Sequence, residues 1–256
     1  MSSFAPEVIT HIGSFPITNT ILNTLLIDSF LIGTTYAVTK KITMLPSKLQ
    51  NAGEMLLETF YDMTASIAGE RTKQIFPYFM TFFLFILVAN WSGLLPGVSS
   101  IGFFEESHGK KELIPLIRGA TSDVNTTFAL AIISLVATHV MSIKTLGLKG
   151  YFSHFFTFSP IYFAPIFVFV GLLEVVSEFT KMISLSFRLF GNIYAGEVVL
   201  ATVSNIFSFL FPLPFMLLEV IVGFVQALVF SMLTFVFMTI FTTPHHAEEH
   251  AREVNN

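Results

Sequence analysis

Residues 160–201, PIYFAPIFVFVGLLEVVSEFTKMISLSFRLFGNIYAGEVVLA, form an apolar run of 42 residues interrupted by a few charged and amide side chains. A hydrocarbon core of about 30 Å needs only about 20 helical residues, so the run is roughly twice an upright span. Its polar positions are ordered. Glu174, Ser177, Lys181, Ser184, Arg188 and Asn192 follow one another at spacings of 3, 4, 3, 4 and 4, which places them on one helical face. At 1.5 Å per residue the stripe extends roughly 27 Å, close to the thickness of a bilayer core. A charge at mid-membrane costs about 2.5 to 3.5 kcal/mol on insertion scales, so the stripe must face a cavity or a protein partner rather than lipid.

The composition of the whole chain agrees with a membrane setting. Of 256 residues 53% are hydrophobic and 12% charged, with a mean hydropathy of +0.74. A soluble domain carries about 25% charge. The net charge of −4 gives no basis for binding nucleic acid, and the absence of cysteine excludes disulfides and thiolate metal sites. The N-terminal extension, residues 1–17, carries Glu7 and lacks the basic flank and apolar core of a signal peptide, so it is expected to be retained.

An all-α polytopic membrane protein follows, with five crossings, one amphipathic surface helix and a long C-terminal helical hairpin. Residues 18–39 and 76–95 read as the first two spans and 126–143 as the third, with an outer loop at 96–125. Residues 160–201 and 214–242 form the hairpin around a Phe211-Pro212-Leu213-Pro214 break, and 243–256 are a polar inner tail. Residues 46–68 place Leu49, Leu56, Phe60, Met63 and Ile67 on one face and Glu54, Glu58 and Asp62 elsewhere, as in a helix lying on a membrane surface. With the N-terminus outside, Lys40, Lys41, Lys48, Arg71, Lys73, Lys144, Lys149 and Arg252 fall inside, against Lys110, Lys111 and Arg118 outside. The positive-inside rule favours that orientation, with the C-terminus inside.

Arg188 cannot shed its charge, because guanidinium does not deprotonate in proteins. The nearest acid behind it, Glu178, lies ten residues back and off its face, so its counter-charge is expected from another subunit. Glu197, nine residues on, points roughly half a turn away, toward a neighbouring helix. In the last helix Glu219, Gly223, Gln226 and Phe230 make a small polar face that Glu197 is expected to meet. Glu174 then lies near the inner side and Glu197 and Glu219 near the outer side. Two separate wet regions entered from opposite sides, with Arg188 between them, are what proton access without a short circuit requires.

These residues resemble subunit a of the rotary F-type ATP synthase. The resemblance is most specific at RLFGNIYAGE (188–197), is extended by EVVSEFTKMISLS (174–186), and is supported by VQALVFSMLT (225–234), DVNTTFALA (123–131) and KLQNAGEMLLETF (48–60). It implies a steeply tilted hairpin against a rotating c-ring, with Arg188 facing the ring's ion-carrying carboxylates. Asn192, Glu197, Glu219 and Gln226 match positions of the outer half-channel, with Asp123 near its entrance. Glu174, Ser177, Lys181 and Ser184 match positions near the inner one. The resemblance further implies peripheral-stalk b subunits and other ATP synthase subunits as partners, lipid around the spans, and, from the YAGE ending and the double glutamate, a bacterial plasma membrane. One departure stands out: the family often places one glutamate and one histidine where this chain has Glu197 and Glu219, and two nearby carboxylates tend to share a proton.

Other classes leave no trace. There is no His-Glu-x-x-His motif for an intramembrane metalloprotease and no phosphate loop, so nucleotide chemistry and cofactors belong to other chains. His245, His246 and His250 cluster in the tail among acids and read as solvated rather than metal-binding. A non-rotary proton channel or transporter would also use the stripe, but the internal repeats common in transporters are missing.

Overall fold

The computed structural model describes residues 6–40, 42–43, 46–95, 101–107, 110–155, 164–206 and 212–243. The histidine cluster in the tail, Arg252, Lys41, Phe211 and the first residues of the 160–201 run lie outside the described residues.

Among the described residues six α-helices carry the fold. Helix α1 (Asn19–Thr39) starts at Thr18, whose hydroxyl accepts from the Ile21 amide at 3.4 Å. Helix α2 (Lys48–Ala68) is capped the same way by Ser47 and stops at Gly69, whose φ of 55° suits a residue without Cβ. A 3-10 turn (Gly69–Arg71) leads into α3 (Thr72–Ser92). Helix α4 (Val124–Phe155) is broken at Gly147, with φ 72°. Helices α5 (Ala164–Ile206) and α6 (Pro212–Thr242) follow.

Among the described residues four helical stretches are long and apolar enough to cross a membrane: Asn19–Thr39, Gln50–Ser92, Val124–Tyr151 and Pro212–Thr242. Helix α5, at 43 residues, is as long as the longest of them, but carries Glu174, Glu178, Lys181, Arg188 and Glu197.

The described residues are not wholly helical. Strands β1 (Val8–Ile12) and β2 (Phe15–Thr18) form an antiparallel hairpin in the N-terminal extension, with Ile12 opposite Phe15. Its two-residue turn begins at Gly13, with φ 66°, which a positive-φ hairpin turn requires of its first central residue. Strands β3 (Gly102–Ser107) and β4 (Lys110–Pro115) pair in the segment between α3 and α4. The expected all-α architecture carries these two short hairpins in addition, outside its helices. Strands of four to six residues leave too short an alternation to stand out beside 21-residue helices.

The core lies where α3, α4, α5 and α6 meet. Phe79, Phe83, Leu189, Phe230, Phe235 and Met238 are buried there, Phe79 stacking on Phe83 at 6.1 Å and meeting Phe235 edge-on at 6.1 Å. Phe60 and Met63 of α2 pack on this core, whereas Leu56 and Ile67 stay exposed, so only part of the expected apolar face of α2 is used within the chain. The Arg71 guanidinium donates to the Thr242 carbonyl and to the Thr243 hydroxyl at 3.3 Å. It thereby caps the last turn of α6, where free carbonyls favour a cation.

Candidate functional site

Helix α5 presents two different faces. On one, Ser177, Ser184, Arg188 and Asn192 are exposed, together with Gly191, around which a Cβ would meet nothing within 4 Å. Arg188 donates from Nη2 to Ser184 Oγ, one turn back, at a long 3.4 Å. Among the described residues no carboxylate lies within ion-pair distance of it.

Lys181 and Glu174 depart from the uniform stripe: both are half-buried. The Lys181 ammonium reaches back to the buried Glu178 at 2.6 Å and lies 4.9 Å from the ring centre of Phe237. That geometry suits a cation taken partly out of water, since carboxylate and ring face both offset its charge. Beside the pair, Ser134, Thr138, Met182 and Leu185 line a cavity of about 10 Å³, close to the space one water needs. Glu178 lay outside the sequence-based candidates. Its i,i+3 spacing from Lys181 was the available signal.

The second polar group lies between α5, α6, α3 and the segment before α4. Asn192 Nδ2 donates to the buried Gln226 Oε1 at 2.7 Å. Glu219 is only 5% exposed and packs directly on Gly196, where any Cβ would stand inside its carboxyl group. Its Oε1 has no hydrogen-bond partner among the described residues. Asn90 donates to the Gly223 carbonyl at 2.8 Å and accepts from Thr121 Oγ1 at 2.7 Å, and Trp91 donates to the Val220 carbonyl at 3.1 Å. Helix α6 is thus held against α3 in the turn that follows Glu219.

Glu197 has a different partner from the one its azimuth suggested. It is Gly196 that α6 meets. The Glu197 carboxylate instead lies 3.8 Å from Nε of Arg118, a loop cation outside the sequence-based candidates whose side chain is 7% exposed. Asp123 is buried. Its Oδ1 accepts from the Asn125 amide at 2.9 Å in an Asx turn at the start of α4, and Oδ2 accepts from Thr20 at 3.0 Å.

A multi-pass helical protein with carboxylates buried between its helices, and an arginine left bare on the outer face of one of them, belongs to the class of intramembrane ion-translocating subunits. Residues 17–239 match the ATP synthase A chain family. ATP synthase subunit a of Moorella thermoacetica is 34% identical over 245 residues, covering 96% of this chain and 100% of that protein. The subunit a of Geotalea daltonii is 38% identical over 216 residues, covering 84% and 83%, and that of Gloeobacter violaceus is 40% identical over 220 residues, covering 84% and 80%. The chain belongs to the ATP synthase A chain family: the proton-conducting, non-catalytic stator subunit of the F-type enzyme, working among the other ATP synthase subunits.

Proposed function

We propose that the bare face of α5 is where this subunit meets the rotating c-ring, and that Arg188 is the fixed charge the ring's carboxylates pass. The observation that carries this is the isolation of Arg188: an exposed guanidinium with a single long hydrogen bond to Ser184. A permanent charge within a span needs a counter-charge. A carboxylate that arrives, gives up its proton and moves on supplies one transiently.

Protons enter from the outer side through the group formed by Asp123, Glu197, Glu219, Gln226 and Asn192. They pass to a ring carboxylate, and after rotation leave on the inner side past Ser184, Lys181, Ser177 and Glu174. Arg188 separates the two routes electrostatically, because it disfavours any other cation at the crossing point. Gln226 fixes Asn192 beside Arg188, and Gly196 gives Glu219 its room.

In this reading α5 is a fifth crossing, and α5 and α6 tilt steeply, which accommodates 43 and 31 residues in one bilayer. The lysine and arginine distribution supports an outer N-terminus and a cytoplasmic C-terminus in a bacterial plasma membrane, as the bacterial relatives suggest. Helix α1 has only 11% of its apolar window buried, leaving surface for lipid or for the peripheral-stalk b subunits.

The test is proton flux in the reconstituted complex carrying Arg188→Ala. Proton-driven ATP synthesis stops while passive proton permeation persists in membranes stripped of the catalytic head. Retained coupled synthesis would overturn the assignment.

A further inference from the structure

The outer group contains a cation that the proposed function does not use. Arg118 follows β4 and precedes the 3-10 turn (Ala120–Ser122) that opens α4. It is held from several sides. Its carbonyl accepts from Asn23 Nδ2 of α1 at 2.8 Å, its Nε donates to Ser122 Oγ at 3.3 Å, and Ser122 Oγ in turn donates to the Gly119 carbonyl at 2.9 Å. Gly119 presses on Gly93 at the end of α3, where a Cβ on Gly93 would sit 3.1 Å from the Gly119 Cα. The backbone around Arg118 is held against α1 and the end of α3, and its guanidinium is aimed at α5.

What it meets there is Glu197, at 3.8 Å. The partners differ in access: the Arg118 side chain is 7% exposed and that of Glu197 is 35% exposed. A buried guanidinium beside a half-open carboxylate suits a fixed charge acting on a group that still exchanges protons. The other ionisable groups around this point are Glu219 of α6, packed on the neighbouring Gly196, and Asp123, which caps α4. Arg118 is the cation paired with Glu197 among the described residues.

We propose that Arg118 is a positioning residue of the outer proton path: it orients the Glu197 carboxylate by an ion pair and tunes its proton exchange with the outer side. This distinguishes the two glutamates. Glu197 has a cation at hand, while Glu219 sits in a tight space shaped by Gly196. The inference rests on the assignment of Glu197 to the outer path, and Arg118 acts through Glu197 rather than on the ring.

The experiment uses the intact complex in inverted membrane vesicles and in proteoliposomes. ATP-driven proton pumping, and proton-driven synthesis against outer pH, are measured per assembled complex. Arg118→Gln is expected to lower pumping roughly tenfold, the factor that about 1.4 kcal/mol represents, and to displace the outer-pH profile. Arg118→Lys, which keeps the charge, restores at least half of the rate. In a Glu197→Gln background, Arg118→Gln causes no further loss per complex. Pumping at the parent level with an unmoved profile in Arg118→Gln would overturn the proposal, as would the same additional loss with and without Glu197. If Arg118→Gln does not assemble, Arg118→Lys decides: at least half of the parent rate with the parent's outer-pH profile supports a charge-based role, and lost pumping in the assembled complex contradicts it. Arg188→Ala tests the underlying site separately, so a silent Arg118 beside an essential Arg188 would remove only this inference.

Discussion

Arg188 and Arg118 carry the same permanent charge in opposite settings. Arg188 lies on the exposed face of α5 with a 3.4 Å hydrogen bond to Ser184, whereas Arg118 is buried, hydrogen-bonded to Ser122 and ion-paired with Glu197. A pair inside one chain is stationary. Its two members keep their places through every step, so the pair can position a neighbour but cannot follow a moving part. An uncompensated arginine in a membrane helix is tolerable only where the assembly brings it a counter-charge. The lysine of the stripe belongs with Arg118 in this respect, being bound to Glu178 at 2.6 Å.

Removing each class of contact should therefore cost different things. Arg188→Ala has the largest expected effect: coupled proton transport falls below detection while the complex still assembles, as judged by recovery of the other subunits. Gly196→Ala comes next. Its Cβ would occupy the space of the Glu219 carboxyl group, and overpacking of this kind costs about 1 to 3 kcal/mol. Proton pumping per complex should drop roughly tenfold, the factor that about 1.4 kcal/mol represents.

A smaller loss is expected from Gln226→Leu, which leaves Asn192 without its 2.7 Å acceptor. Hydrogen bonds contribute about 1 kcal/mol net, so pumping should fall several-fold with the complex intact. The smallest effect belongs to Thr127→Val, which breaks the hydroxyl contact with Ser186 at 3.1 Å on the inward side of α5. Interhelical hydrogen bonds in membranes average about 0.6 kcal/mol, so thermal stability should decrease slightly and pumping not at all. A Thr127→Val variant that lost pumping as Gln226→Leu does would erase the distinction between the two sides of α5.

Much of this architecture is legible in the sequence, for physical reasons. Long helices in lipid must be apolar and continuous, so the spans announce themselves by length, and α5 by a length that one upright crossing cannot use. The exposure of Arg188 follows from periodicity together with the lack of an acid near it on its face, Glu174 lying 14 residues back. What periodicity cannot supply is the partner of a side chain whose neighbour comes from elsewhere in the chain. Glu197 and Arg118 are 79 residues apart, and nothing in either segment marks the pair. Glu178 lies off the stripe, so the periodicity does not single it out, although the flexible stem of Lys181 bridges that difference within one turn. The hairpins escaped notice for want of length, although Gly13 offered a turn signal.

The central claim is that the bare face of α5 meets the rotor, and thiol chemistry tests it directly because the chain contains no cysteine. Ser184→Cys on the exposed face and Ser186→Cys on the buried face can each be combined with a single cysteine placed next to the carboxylate of the ring subunit. Mild oxidation should join Ser184→Cys to the ring and leave Ser186→Cys unlinked. Cross-linking at Ser186→Cys with none at Ser184→Cys, or equal yields at both, would contradict the account.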